Sequence, residues 1–306
     1  MAEPLLSICV PIYNQARAFC VQVRSIAPVP SRVKAGTEIV IVDDCSTDDL
    51  APALDQLRGA GWDLKLIRNA QNLGRAPSLA KAIRAARGRY VLIMDGDDPF
   101  IENGLKAIYD ALIEFEASGH EDECLGMVFG TLIDDGTAVR RNALQDGLQC
   151  TLLALRADHG IKGDVKEVIK REAVLDALCD LFDRYRRVPT SLLWMRLSDR
   201  GSVRCSSKIV VRKSYQPGGL TRNLEVHRSA NLPPLLALYQ GIADSKSYKS
   251  LWYRLRAAIN YHRFLARSGG GAMHLRSDFF WVAAVAGIST GLIERRRSRR
   301  RPSHGE

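Results

Sequence analysis

The stretch YVLIMDGDDPF, residues Tyr90–Phe100, contains the two patterns that decide the fold of this chain. Its apolar run, Val91–Met94, is typical of a strand in the middle of a buried sheet. The run leads directly into Asp95, Asp97 and Asp98, whose carboxylates repel one another. The pattern therefore predicts a buried strand that ends either at a bound cation or in a solvated turn.

Other apolar runs of strand length flank this one, and stretches with apolar residues at helical spacing separate them. These runs are Leu5–Tyr13, Glu38–Asp44, Leu64–Asn69 and Leu125–Gly130. Their alternation with helical patterns predicts an α/β fold built from β-α-β units on a parallel sheet. Ligands of such sheets gather beyond the carboxyl ends of the strands, and the unusual polar clusters of this chain fall there.

Composition sets limits on the class of protein. With 306 residues and 46% hydrophobic content, the chain can bury a sizeable core. Six arginines of the run Arg295–Arg301 account for most of the formal net charge of +10, so the rest is only mildly basic. The seven cysteines include no CxxC pair, which argues against a disulfide framework and a zinc site. The amino-terminal residues lack the pattern of a secretory signal, so we expect a cytoplasmic protein.

Familiar nucleotide-binding motifs are missing from the sequence. It contains neither GxGxxG nor GxxxxGK[ST], which excludes the dinucleotide fingerprint and the phosphate loop. A nucleoside diphosphate bound here would need a divalent metal, and Mg²⁺ or Mn²⁺ prefers carboxylate oxygens. Asp95, Asp97 and Asp98 can supply them.

Four motifs, in this order and at these spacings, resemble glycosyltransferase family 2, the inverting enzymes with a GT-A fold. They are VPIYN (Val10–Asn14), IVIVDDCSTDD (Ile39–Asp49), NLGRA (Asn72–Ala76) and MDGDD (Met94–Asp98). The resemblance covers roughly the first hundred residues. It implies a Rossmann-like, nucleotide-sugar-binding sheet that is mixed but mainly parallel, and a UDP- or GDP-sugar as donor.

The first two motifs imply contacts with the nucleotide base. Pro11 and Tyr13 match residues that pack against the base, and Asp44 matches a carboxylate that accepts a hydrogen bond from it. Asp43 is its neighbour. Without a ligand, the two aspartates and the polar residues after them would also suit an ordinary helix start.

The next two motifs imply contacts with the rest of the donor. The loop positions approach the nucleotide, and the DxD pair holds ribose and metal, with the third aspartate sharing the ligation. The positions are Asn72, Gly74 and Arg75 in the loop, and Asp95, Asp97 and Asp98 after the fourth strand.

The second half departs from the family at the catalytic base. Where relatives carry an acid before a Leu-Trp-x-Arg-Leu helix, this chain has Thr190, whose hydroxyl cannot act as a base near neutral pH. The nearest carboxylate candidate is Asp164, although Gly163 and Asp164 also suit a helix cap. His159 is a weaker alternative, and Glu167 is expected to face solvent on most helix registers. If none serves, the chain binds a donor without turning it over.

A glycine-rich segment, QPGGLTRN (residues 216–223), suits a mobile loop that closes over a diphosphate, or a plain connector. The family often closes this region on the donor, which makes Arg222 a candidate phosphate contact.

Beyond this segment the sequence shows only helical patterns. The segment Leu251–Arg267 predicts an amphipathic basic helix, and Phe279–Ile293 is an uncharged stretch shorter than the ~20 residues that span a bilayer. With the arginine run, they predict a monotopic anchor on an anionic membrane surface. The alternative is a C-terminal core helix with a solvated tail. No nucleic-acid motif accompanies the tail, so we expect no nucleic-acid partner.

These expectations divide the chain into a GT-A catalytic domain, residues 1–222, and a helical membrane-associating region, residues 223–306. Within the first, residues 1–100 form the nucleotide-sugar half and residues 101–222 the acceptor half. The expected function is metal-dependent, inverting transfer to a saccharide or lipid-linked acceptor in surface polysaccharide or glycolipid assembly, on the inner face of the plasma membrane. A catalytically silent donor-binding or scaffold protein and a nucleotidyltransferase remain the alternatives.

Overall fold

The computed structural model describes residues 3–26, 29–134, 139–141, 144–214, 231–268 and 283–292. Within these ranges, nine strands form one sheet. The strands are β1 (Leu6–Ile12), β2 (Thr37–Asp43), β3 (Asp63–Arg68), β4 (Tyr90–Ile93), β5 (Cys124–Asp134), β6 (Val139–Arg141), β7 (Gln149–Cys150), β8 (Lys166–Lys170) and β9 (Ser202–Ser214). Their order is β3-β2-β1-β4-β8-β5-β9-β7, with β6 paired to β5.

Helices connect the strands and cover the sheet. They are α1 (Ala16–Ile26), α2 (Ser31–Ala35), α3 (Ala51–Gly59), α4 (Arg75–Ala85), α5 (Gly104–Ala117), α6 (His120–Glu123), α7 (Leu152–Ala157), α8 (Arg171–Ala177), α9 (Leu181–Arg184), α10 (Thr190–Ser198), α11 (Leu232–Asp244) and α12 (Leu251–Ser268). Residues 283–292 form a further helix, α13.

The four strands β3, β2, β1 and β4 run parallel, whereas β8 pairs antiparallel with both β4 and β5. The structure therefore confirms the predicted α/β fold with a mixed sheet. The chain order of the parallel strands reverses between β1 and β4. Such a reversal opens a crevice at the carboxyl ends of the strands, where ligands of open α/β sheets bind.

Two hydrophobic clusters fill the spaces on either side of the sheet. One contains apolar residues of α1, α3 and α5, such as Phe19, Leu57 and Ile108. The other contains residues of α4 and α10, such as Leu79 and Leu193, and continues into the C-terminal helices. Each face of the sheet is thus covered, as the uninterrupted apolar runs of β1, β2 and β4 require.

The described C-terminal helices pack against the same body as the sheet. Leu238 and Ile242 of α11 and Tyr261 of α12 belong to the hydrophobic cluster that contains residues of α4 and α10. The expected boundary at residues 222 and 223 lies outside the described residues. Helices α11 and α12, on the C-terminal side of that boundary, form a layer of the core.

Helix α12 confirms the helix predicted over Leu251–Arg267, and it is buried mainly in its second half. Leu251 and Trp252 are 59% and 70% exposed, whereas Tyr261, His262 and other residues of the second half are buried. A helical wheel shows which residues share a side of the helix, but it does not show which part of that side neighbouring helices cover. Among the described residues, no helix is both long and apolar enough to cross a membrane.

Candidate functional site

The loops that follow β1 and β2 are tied together by side-chain hydrogen bonds. Asn14 adopts a positive φ of 50°, and its Oδ1 accepts a hydrogen bond of 2.8 Å from the backbone N–H of Thr47. Asp43 Oδ1 accepts a 2.8 Å hydrogen bond from the N–H of Ser46. Pro11 is buried in β1, while Tyr13 just beyond it is 46% exposed. Tyr13 therefore has a ring face open to a ligand at this edge.

Asp44 is buried, and it holds the next loop. Its Oδ1 accepts hydrogen bonds of 2.8 Å from Asn69 Nδ2 and from the N–H of Leu73, and its Oδ2 accepts one of 2.7 Å from the N–H of Gly74. Asp44 thus positions the loop, and its contact with a base stays a prediction, since a carboxylate can accept more than these three hydrogen bonds.

The loop that Asp44 holds contacts the segment that precedes α10. The guanidinium of Arg186 donates to Asn72 O at 2.6 Å and also to Asn72 Oδ1. Gly74 has a φ of 99°, and a Cβ at this position would collide with the carbonyl of Arg186. Glycine is required here both by the backbone conformation and by the close approach. The loop thus joins the two halves of the expected catalytic domain.

Arg75, the first residue of α4, links the loop after β4 to α10. Its Nε and Nη2 donate to Asp95 Oδ1 at 2.9 and 2.6 Å, and its Nη1 donates to Thr190 Oγ1 at 3.1 Å. Burial disfavours ionisation of Asp95, but Arg75, Lys213 and Lys166 outweigh it and lower the pKa of that carboxyl. Burial likewise opposes the charge on Arg75, yet Asp95 raises its pKa. Both groups remain ionised.

The three aspartates after β4 have different surroundings. Asp98 is buried, and its Oδ2 accepts a 2.6 Å hydrogen bond from Lys166 Nζ. Asp97 is partly buried, and burial together with the charges of Asp98 and Asp95 raises its pKa. Gln22 holds the turn itself, because its Nε2 donates to the carbonyls of Asp95 and Asp98 at 2.9 and 3.1 Å.

These surroundings decide which aspartates fit a metal ion. Asp97 lies in a negative potential that a cation would relieve, and Asp95 Oδ2 lies 3.8 Å from Lys213 Nζ, beyond hydrogen-bond distance. Mg²⁺ is commonly held by one or two carboxylates together with substrate phosphates, which these two residues suit. Asp98 is buried against Lys166 and is engaged by its ammonium group, so its share in the ligation stays a prediction. Within the described ranges, no three His, Cys, Asp or Glu side chains are arranged so that they could hold a metal ion by themselves.

Lys213 of β9 gathers three carboxylates. Its Nζ lies 2.8 Å from Asp164 Oδ2, 3.7 Å from Asp98 Oδ2 and 3.8 Å from Asp95 Oδ2. Burial opposes its charge, but the carboxylates raise its pKa above the ordinary range. Asp164, the predicted base, is therefore held in an ion pair.

A cavity of about 310 Å³ adjoins this cluster. Its lining includes Thr190, the charged residues Arg75, Asp95, Asp164 and Lys213, and apolar and aromatic residues of α7, α10, α11 and α12 such as Trp194 and Tyr253. The C-terminal helices thus supply part of the wall. The cavity has the size and the mixed lining of a small-molecule site.

Glu167 also lines this cavity. It belongs to β8 instead of a helix, and its side chain is only 11% exposed, so the expectation that it faces solvent is wrong. Burial raises the pKa of Glu167 to about 7, although Arg156 and Lys166 oppose the shift. His159 lies exposed in a loop, and Arg222 lies outside the described residues.

Sequence reasoning missed Gln22, Lys166, Arg186 and Lys213. All four act across long sequence separations and had no local signal.

Comparison with known proteins finds similarity in the first part of the chain. Residues 7–119 match the family model described as glycosyl transferase family 2. The putative teichuronic acid biosynthesis glycosyltransferase TuaG of Bacillus subtilis is 31% identical over 112 residues, covering 37% of this chain and 43% of TuaG. The dodecaprenyl-phosphate galacturonate synthase of Rhizobium johnstonii is 32% identical over 119 residues, covering 36% and 32%. The chain therefore spans less than half the length of these curated relatives.

Solved structures are similar over most of the chain. S. aureus TarS 1-349 in complex with UDP has a TM-score of 0.57 at 17% identity, covering 96% of this chain and 91% of that one. The mannosyltransferase PcManGT of Pyrobaculum calidifontis, in complex with GDP-Man and Mn²⁺, has a TM-score of 0.53 at 16% identity, covering 98% and 89%. At these identities the likeness shows a shared fold.

Proposed function

We propose that this protein transfers a sugar from a nucleotide-sugar donor to a saccharide or lipid-linked acceptor, because residues 7–119 match the model of glycosyl transferase family 2. The acceptor hydroxyl displaces the nucleoside diphosphate in one step, which inverts the anomeric carbon. The names of the B. subtilis and R. johnstonii relatives support a role in the assembly of surface polysaccharide or glycolipid.

The observation that carries the proposal is the convergence of Arg75, Asp95 and Asp97 at the reversal of strand order, beside the cavity. A nucleotide diphosphate needs cationic partners, and a transferred sugar needs a cavity next to the bond that breaks. Arg75 contacts Thr190 on the cavity wall as well as Asp95. The donor and the acceptor would therefore bind on either side of Arg75.

The donor would lie along the carboxyl ends of β1, β2 and β4. We assign Pro11, Asp43 and Tyr13, whose side chain is 46% exposed, to the base. We assign Asn72 and Gly74 to the approach of the diphosphate, where Asp44 holds the loop. UDP- and GDP-sugars are the donor class, as the ligands named for the two similar structures suggest.

Asp97 and Asp95 Oδ2, the oxygen that Arg75 does not contact, would hold Mg²⁺ or Mn²⁺ against the donor. When bound, the ion neutralises charge that develops on the departing diphosphate. Asp95 itself stays ionised because Arg75 lowers its pKa. Arg222 is a further candidate phosphate contact, which lies outside the described residues.

A donor screen tests the function. Transfer or hydrolysis should occur with one member of a panel of UDP- and GDP-sugars in Mg²⁺ or Mn²⁺, and EDTA should remove it. Asp97→Asn should lower the rate about a hundredfold or more, since several kcal/mol of charge stabilisation depend on the ion. Asp55→Asn, at an exposed position on α3, is the matched control. A rate that is indifferent to EDTA and to Asp97→Asn would refute the metal-dependent mechanism.

A second candidate function rests on Thr190. Its hydroxyl stands where relatives carry the acid and accepts a hydrogen bond from Arg75, as expected for a protein that binds a donor without turning it over. Binding of UDP or GDP without turnover of any donor, even to water, would favour this alternative.

We also propose that the protein associates with the inner face of the plasma membrane. Exposed apolar side chains concentrate on α12 and α13, namely Leu251, Trp252, Val285, Ile288 and Leu292. The arginine run of the sequence comes shortly after α13 and would attract anionic headgroups.

A further inference from the structure

The cavity contains three carboxylates that could take a proton from an acceptor, and two of them are already bound to cations. Asp95 accepts two hydrogen bonds from Arg75, and Asp164 lies 2.8 Å from Lys213 Nζ. An ion pair stabilises the deprotonated carboxylate and makes it a weaker proton acceptor. Glu167 is the third.

Glu167 is engaged less closely. Its nearest cation within the described part of the chain is Arg156 of α7, whose Nη2 lies 4.0 Å from Glu167 Oε1. Arg156 directs its other terminal nitrogen to the carbonyl of Ile161 at 3.2 Å and to that of Gly163. The guanidinium is therefore anchored to the loop before β8, and Glu167 lines the cavity.

Strand β8 determines where Glu167 points. Successive side chains of a strand point to opposite faces of a sheet. The side chain of Lys166 reaches Asp98, whereas Ile169, two residues beyond Glu167, belongs to the hydrophobic cluster that contains residues of α4 and α10. Lys166, Glu167 and Thr190 all line the cavity, so a carboxylate from β8 and the threonine of α10 share one site.

We propose that Glu167 is the general base of the sugar transfer and replaces the acid that relatives carry at the position of Thr190. This inference rests on the proposed function. Glu167 takes the proton of an acceptor hydroxyl in the cavity while the oxygen of that hydroxyl bonds to the anomeric carbon of the donor. The bond from that carbon to the donor's diphosphate breaks, and its electron pair leaves with the nucleoside diphosphate. The protonated Glu167 then releases its proton to solvent.

The charge around Glu167 suits this role. Burial raises its pKa to about 7, Arg156 and Lys166 act in the opposite direction, and Asp164 adds to the increase. A base is most effective when its pKa lies near the working pH. Because Glu167 must be ionised to accept a proton, the rate should rise with pH through about 7 and level off above it.

The test is donor turnover by Glu167→Gln in the full chain, with water as the acceptor when no saccharide is known. The release of UDP or GDP from the donor should fall about 10²- to 10⁴-fold, and the rise of the rate near pH 7 should disappear. The affinity for UDP or GDP, measured by calorimetry, should remain within about twofold. Glu172→Gln, at an exposed position on α8, should behave as the wild type.

The outcomes separate the two proposals. Full activity of Glu167→Gln, or a hundredfold loss in Asp164→Asn with a retained pH profile in Glu167→Gln, overturns the role of Glu167 and leaves the transferase standing. A wild type that binds UDP or GDP but turns over no donor overturns Glu167 as base and favours the silent alternative. A wild type that binds neither nucleotide overturns the proposed function itself.

Discussion

Arg75 is the residue through which the two walls of the site contact each other. It holds Asp95 with two nitrogens and reaches Thr190 with the third. A planar guanidinium with donors on several sides can make this set of contacts, whereas a lysine ammonium has one nitrogen at the end of a flexible stem. The position therefore requires arginine for its shape as well as for its charge.

Replacement of Arg75 by lysine should lower kcat/KM for the donor by about 10- to 100-fold, because hydrogen bonds to a charged group contribute about 1.5–3 kcal/mol. Steady-state kinetics with the donor found in the screen would measure it. Arg84→Lys is the matched control, since Arg84 makes a comparable pair with Asp183 away from the site. Equal losses in the two variants would contradict the assignment.

Local sequence patterns could predict many residues of this site, but not their partners. The motifs identified Asp95, Asp97 and Arg75, because each stands beside a strand or at the start of a helix. That Asp98 pairs with Lys166, 68 residues away, could not be inferred, since no local pattern records a long-range contact. The same holds for the engagement of Asp44 by its own loop.

At the scale of elements, the first five strands could be predicted and β8 could not. The early strands are uninterrupted apolar runs, which few other structures accommodate. Strand β8 has only five residues, three of them charged, and it comes after a Gly-Asp pair that resembles a helix cap. Tertiary pairing with β4 and β5 on both sides imposes the strand. Because the strand was not predicted, Glu167 was placed on a helix and was expected to face solvent.

Helix α13 packs against α12 through two glycines. A Cβ on Gly287 would lie 2.5 Å from the carbonyl oxygen of Ile259 and 2.6 Å from the Cβ of His262, and one on Gly291 would collide with the carbonyl of Arg263. The GxxxG spacing therefore serves contact between helices of one chain. Small residues are common in short helices, so the GxxxG spacing by itself predicts no contact.

Gly287→Val should separate α13 from α12 and lower the free energy of unfolding by about 1–3 kcal/mol, the usual cost of overpacking a close contact. Urea denaturation, with limited proteolysis of α13, would measure the effect. Ser289→Val places the same side chain on an exposed position of the same helix and serves as the control. If the two variants unfold at the same urea concentration, the close packing is absent in solution.

At the scale of the whole molecule, one side combines apolar exposure with positive charge. Leu251 and Trp252 begin the basic helix α12, and Val285, Ile288 and Leu292 lie along α13 at spacings that share one face. The sequence predicted such a surface but placed it on a separate region. Helical periodicity records that a face is apolar, whereas only the packed structure shows which part of it remains outside the core.

The double variant Leu251→Ser and Trp252→Ser should bind vesicles containing phosphatidylglycerol about tenfold or more weakly than the wild type, because it loses apolar area that the membrane would bury. Co-sedimentation at low and high salt would measure this, and salt should weaken binding by the wild type. Val21→Ser, at a position 50% exposed on α1, is the control. Equal binding of the wild type to neutral vesicles would count against a role for the arginines.

The cavity wall contributed by α11 and α12 has a consequence for the order of events during synthesis. The strands that would hold the nucleotide lie within the first hundred residues, whereas Ile242 and Tyr253 are translated much later. Domains generally fold as units, and α11 and α12 share a hydrophobic cluster with α4 and α10. We therefore expect a nascent chain to enclose the compartment for transfer only when these last helices have left the ribosome and docked.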